Sequence, residues 1–79
     1  MKYTPKEIGT FIKNARKSFG VTQKTLALTS GTGLRFIIEL EQGKPTCQIG
    51  KVLTVLHTLG ISIHLNVAAS RSLGKGFTP

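Results

Sequence analysis

Residues Ser30 to Gln42 read SGTGLRFIIELEQ, and whether their apolar run is a strand or a helix decides the fold. Phe36, Ile37 and Ile38 are β-favouring residues, while Gly31 and Gly33 suggest a tight turn or the start of a phosphate-cradling loop. A turn of about 100° per residue places Phe36, Ile37 and Leu40 within one arc of about 100°, with Leu34, Arg35, Ile38 and Glu39 on the opposite side. Strand alternation would instead set Ile37 among the charged Arg35 and Glu39. The pattern therefore predicts a helix from Gly33 to about Glu41, closed by Gln42-Gly43-Lys44-Pro45, with glycine near the C-cap and proline shortly after. The dinucleotide fingerprint fails, because its third glycine falls where Phe36 stands and no strand precedes it.

Working outward, Thr4-Pro5-Lys6-Glu7 marks a helix start, with Thr as N-cap, Pro at the first helical position and Glu completing a capping box. Ile8, Phe11, Ile12, Ala15 and Phe19 continue it as one apolar stripe, Lys6, Lys13 and Lys17 lie on other faces as solvated cations, and Gly20 ends it. Thr22 caps a second, short helix from about Gln23 to Thr29, with Leu26 and Ala27 on its buried side and Lys24 on its wet one. Ser30-Gly31-Thr32 is a brief turn. Beyond the decisive stretch, Thr46 is expected to cap a fourth helix in which Ile49, Val52, Leu53, Leu56 and Leu59 recur at three-four spacing up to Gly60.

The period then changes. Ile61-Ser62-Ile63-His64-Leu65-Asn66-Val67 alternates strictly, with apolar Ile61, Ile63, Leu65 and Val67 at the odd positions of a half-buried strand. One strand cannot satisfy its own backbone, so the simplest solution is pairing with the same strand of a second copy across a two-fold axis. This predicts a homodimer. The expected division is a domain over residues 1–67 and a tail over 68–79. That tail reads either as dispensable chain or as a segment whose Arg71, Lys75 and Phe77 dock on a partner or on DNA.

Seventy-nine residues make one small domain, near the size at which a second subunit often completes burial. Eleven Lys and Arg against three acidic residues give a formal charge of +8. Such an excess favours a polyanionic partner, nucleic acid first, an anionic membrane surface second and acidic substrates third. No run approaches the roughly 20 apolar residues of a membrane span, and the N-terminus lacks a continuous apolar core of a signal sequence. The lone Cys47 forms no internal disulfide, which fits a reducing cytoplasm. His57 and His64 have no Asp to complete a triad, and Cys47 lacks partners at metal-ligand spacing. No metal, cofactor or enzymatic activity is expected.

Two short helices joined by a glycine-containing turn in a basic, mostly helical domain follow the helix-turn-helix plan, whose second helix enters the major groove. Thr22-Gln23 with Leu26-Ala27, then Gly31, Ile37 and the run Leu40 to Lys44, resemble the Xre/Cro family of DNA-binding domains. The wider frame, including Lys44-Pro45-Thr46, the helix Ile49 to Leu59 and the LGISIHL segment, resembles HipB-type antitoxin regulators within that family. The likeness covers about Ile8 to Val67.

It implies an all-α, four- to five-helix, lambda-repressor-like domain with one C-terminal strand, and a sequence-specific repressor that binds a palindromic operator and autoregulates a toxin-antitoxin operon. Gly33, Leu34, Arg35 and Ile38 match the family's base-facing positions. Among them only Arg35 can grip guanine with two hydrogen bonds, and Leu34 and Ile38 can pack on thymine methyls. Thr22, Gln23 and Lys24 match one phosphate clamp, and Gly43 with Lys44 a second. Arg16 and Glu41 match a pair that ties the first helix to the end of the third. The implied partners are operator DNA and a HipA-like kinase toxin or a small accessory antitoxin protein, in a bacterial cytoplasm. Two features depart from the family, namely Gly33 in place of a capping Ser or Thr, and the apolar Ile38 where a polar residue is common. Specificity then leans on DNA shape. The rival reading is an adaptor whose helix-turn-helix surface or tail binds protein, and a stand-alone phage-type repressor is a further alternative.

Overall fold

A computed structural model describes residues 3–66. Four helices follow one another: α1 (Pro5–Ser18), α2 (Gln23–Ser30), α3 (Leu34–Glu41) and α4 (Ile49–Thr58). Each contributes one fully buried aliphatic side chain to the core, respectively Ile12, Leu26, Ile37 and Val55. Burying such a side chain stabilises by about 1.5–3 kcal/mol, so no helix is dispensable to the core. Ala27, Leu40, Leu56 and Leu59 complete the buried cluster, with Ile8, Ala15, Val21, Phe36, Cys47, Val52 and Ile61 packed around it.

The ambiguous stretch is helical, as the angular test predicts. Ile37 and Leu40 are buried, Phe36 is half-buried, and Lys51 of α4 holds its ammonium 5.6 Å from the centre of the Phe36 ring. Gly31, left-handed at φ 71°, caps α2, which runs to Ser30, one residue beyond its expected end. Gly33 is the N-cap of α3 at φ 95°, with no side chain to offer.

The start of α1 carries the full capping box. The Thr4 hydroxyl oxygen accepts from the Glu7 amide at 3.1 Å, and the Glu7 carboxylate accepts from the Thr4 amide at 3.0 Å. The start of α4 differs from expectation. Its N-cap is Gln48, which makes no side-chain cap bond, and Thr46 stands in a turn with Pro45 ahead of it. That turn brings Cys47 against the core and delays the helix to Ile49. Thr4→Ala is therefore expected to cost about 1 kcal/mol of stability, and Thr46→Ala close to nothing, when both are compared by urea denaturation. Equal losses would return the cap of α4 to Thr46.

The apolar stripes are also narrower than periodicity suggests. On α1, Ile12 is fully buried and Ile8 and Ala15 partly so, but Phe11 and Phe19 are exposed, and Gly9 and Arg16 take the inner positions. On α4, Val55 is buried where the stripe predicted Ile49 and Leu53, which stand 74% and 48% exposed. The difference is a rotation of each helix toward its actual neighbours: α1 packs on α3, and α4 on α2.

Residues 61–66 carry no strand in the single chain, and Val67 and the expected tail lie outside the described residues. The Ile61 amide donates to the Leu56 carbonyl at 2.9 Å and its side chain packs on the core. Ile63 and Leu65 are exposed. The expected ladder needs a second copy, which one chain does not supply.

Candidate nucleic-acid interface

The turn Gly31–Gly33 between α2 and α3 is three residues long, so the two eight-residue helices are held as one hairpin. Neither is long enough to persist alone in water. What fixes them is a buried polar knot at the opposite end of α3. Arg16 donates through Nε to Glu41 Oε2 at 2.7 Å and through Nη2 to Glu41 Oε1 at 3.0 Å. Its third nitrogen, Nη1, donates to the Val21 carbonyl at 2.8 Å, and Gln23 Nε2 donates to Glu41 Oε1 at 3.0 Å. One carboxylate thus joins, directly or through Arg16, the last turn of α1, the α1–α2 turn, the start of α2 and the end of α3. The hydrogen bonds that Arg16 donates to the Glu41 carboxylate push its pKa above the ordinary value against the opposing effect of burial. No buried side-chain nitrogen or oxygen among the described residues lacks a partner.

With this frame fixed, the first turn of α3 is presented to solvent. Arg35 is exposed, Leu34 is 43% exposed beside it, and Gly33 is exposed before them. Ile38, one turn on, is only partly exposed, so it lies at the edge of this surface rather than at its centre. The outward set is thus one cation flanked by apolar groups, chemically able to meet a base edge and a methyl.

Two turns lie at the opposite end of α3, one at the start of α2 and one just beyond Glu41. Thr22 caps α2 by accepting from the Thr25 amide at 3.0 Å and donating to the Thr25 hydroxyl at 3.0 Å. Its hydroxyl is thereby committed to the helix. The first-turn amides of Gln23 and Lys24 have no intrahelical acceptor, as at any helix start, and together with the exposed Lys24 they suit an anion. Gln23, expected in the clamp, spends one amide hydrogen on Glu41 and keeps the other.

At the far end, Gly43 sits at φ 86°, and a Cβ there would stand 2.6 Å from the Lys6 Cα. Only glycine satisfies both conditions. The Lys44 amide donates to the Glu39 carbonyl at 3.0 Å and its ammonium to the Glu39 carboxylate at 3.2 Å. This ion pair is half-solvated, with side chains 47% and 32% exposed. Pairs of that kind contribute about 0–1 kcal/mol, so a phosphate could take over the ammonium at little cost.

The structure therefore exposes Gly33, Leu34 and Arg35 together at the start of α3, with Ile38 at their rim, and places the turns that carry Thr22–Lys24 and Gly43–Lys44 at the opposite end of α3, where Glu41 ties the start of α2. Sequence reasoning missed the Gln23 link to Glu41 and the Glu39 partner of Lys44, both separated by spacings no helical rule flags. His57 and His64 are exposed, and the described residues hold no cluster of potential metal ligands. No helix among them is long and apolar enough to cross a membrane.

No family model matches the chain. It is 52% identical over 68 residues to an uncharacterized HTH-type transcriptional regulator, y4mF, of Sinorhizobium fredii (strain NBRC 101917 / NGR234), a match covering 86% of this chain and 90% of that protein. Among solved structures it is similar to a HipB-O4 20mer complex, with a TM-score of 0.76 and 25% identity over 86% of this chain and 96% of that one. The fold is equally close to a chain of a HipA-HipB-O2-O3 complex, at a TM-score of 0.76 and 24% identity over 85% of this chain and 94% of that one.

Proposed function

Because the chain belongs to the HTH-type transcriptional regulators, within the HipB-like Xre/Cro family, we propose that it is a repressor that binds a palindromic operator as a homodimer and autoregulates its own operon. The observation that carries this reading is the solvated first turn of α3, where Arg35 stands exposed on a chain of charge +8. Arg35 reads guanine, Leu34 and Ile38 meet thymine methyls, and the starts of α2 and the Gly43–Lys44 turn hold the backbone on either side. In a two-fold dimer the two copies of α3 would reach successive major grooves about 34 Å apart.

The test is binding to the duplex upstream of the chain's own reading frame against random duplex, across a salt series. Arg35→Ala is expected to cost about 1–3 kcal/mol on the operator and to flatten its preference over random DNA, whereas Lys44→Ala weakens both alike. Equal losses from the two substitutions on both duplexes would misassign the reading surface. No preference over random DNA at any salt would leave the adaptor reading in its place.

The dimer is supported by apolar surface that nothing among the described residues covers: Ile49 and Leu53 on α4, and Ile63 and Leu65 in the alternating segment beyond. Pairing of residues 61–67 with a second copy would give that segment its ladder and bring the α4 faces under cover. Ile63→Pro removes a ladder hydrogen bond and is expected to yield monomers in sedimentation. A dimer that persists would show that the segment is not its glue.

The partner we assign is a HipA-like kinase toxin or a small accessory antitoxin, in a bacterial cytoplasm. A kinase-like reading frame beside this one would bear that out.

A further inference from the structure

We propose that Lys6, Lys13 and Lys17 of α1 form a second backbone track, which holds phosphates of the same duplex beside the helix-turn-helix. The proposal rests on the DNA-binding reading above and extends it to a helix that carries no base-facing position. With Pro5 as zero and about 100° per residue, the three lysines fall within an arc of about 40°. They span about 16 Å of helix axis, which is long enough for each to meet a different phosphate.

Three observations orient this arc. The inner side of α1 runs from Ile8 through Ile12 and Arg16 to Gly9, and its Gly9–Arg16 edge lies against the end of α3: a Cβ on Gly9 would meet the Leu40 and Glu41 carbonyls, and Arg16 grips Glu41. The lysines begin at that same edge. The backbone of Lys6 touches Gly43, so the track starts at one anion-suited turn. Arg16 also holds the Val21 carbonyl, so the C-terminal end of α1 lies by the turn that leads into Thr22 and the other one. α1 thus connects the two clamps along the side of α3's end.

The charge is uncompensated as well. The chain has three acidic side chains. Glu7 is spent on the Thr4 cap, Glu39 on Lys44, and Glu41 on Arg16 and Gln23. Lys6, Lys13 and Lys17 are all exposed, and a polyanion is the complement they fit.

The experiment is the slope of log binding constant against log salt on the upstream duplex, for the full chain and for Lys13→Gln, the Lys13→Gln/Lys17→Gln pair and the triple variant with Lys6→Gln. Each phosphate contact contributes about 0.9 to the slope. The expected result is a stepwise loss of about 0.9 per lysine, with the preference for the operator over random duplex unchanged and the melting temperature retained. An unchanged slope in variants that still prefer the operator overturns the track while leaving the repressor reading intact. Absence of operator preference in the unsubstituted chain overturns both.

Discussion

Glu41→Ala is expected to lower the stability of the domain by about 3–5 kcal/mol, measured by urea denaturation. The carboxylate receives three hydrogen bonds, two from Arg16 and one from Gln23, and its side chain is 3% exposed. Its removal leaves the guanidinium of Arg16, whose side chain is 9% exposed, with the Val21 carbonyl alone. A buried charge without its counter-ion costs far more than the intact pair contributes. The double replacement Arg16→Met with Glu41→Leu, which removes both charges together, should therefore cost less than Glu41→Ala alone. A loss below about 1 kcal/mol in the single variant would mean the site behaves like a surface pair. Against a total of about 5–15 kcal/mol for an ordinary domain, the expected loss removes much of the margin.

Gly9→Ala is the second. An alanine in the middle of an exposed helix usually gains about 0.5–1 kcal/mol over glycine. Here the sign should reverse. The added methyl would collide with the Leu40 carbonyl oxygen and stand 2.9 Å from that of Glu41, and both are backbone atoms of α3 and cannot swing aside. Relief requires α1 and α3 to separate, which also strains the Arg16–Glu41 bonds. The expected loss is about 3 kcal/mol, the upper part of the usual range for overpacking, with weakened operator binding because the end of α3 moves. A stabilised variant would show that helix propensity, not the close approach, governs the position.

Both residues illustrate how far sequence carries. The cap of α1 is legible because Thr4, Pro5 and Glu7 act on one another within a single turn. The angular test identifies α3 because Phe36, Ile37 and Leu40 share a face. The start of α4 escapes because Gln48 makes no cap bond, leaving Thr46 as the only signal in range and a misleading one. Periodicity places Phe11, Ile49 and Leu53 on apolar stripes, yet it does not say which part of a stripe meets its own chain. Gly9 gives no signal at all, since a glycine chosen for a close approach reads like any other interruption of a helix. In the candidate site, Arg35 follows from the outward arc of α3, and the Arg16–Glu41 pair from family resemblance alone. Gln23 was expected to serve an anion, and its tie to Glu41 depends on a contact across 18 positions.

The knot around Glu41 also has a dynamic meaning. A frame in which α2 and α3 are each too short to stand alone, and in which one carboxylate fastens the start of the first to the end of the second, has no partly open form that keeps either helix. Hydrogen exchange would then treat residues 23 to 41 as a single cooperative unit, whose two helices open together or not at all.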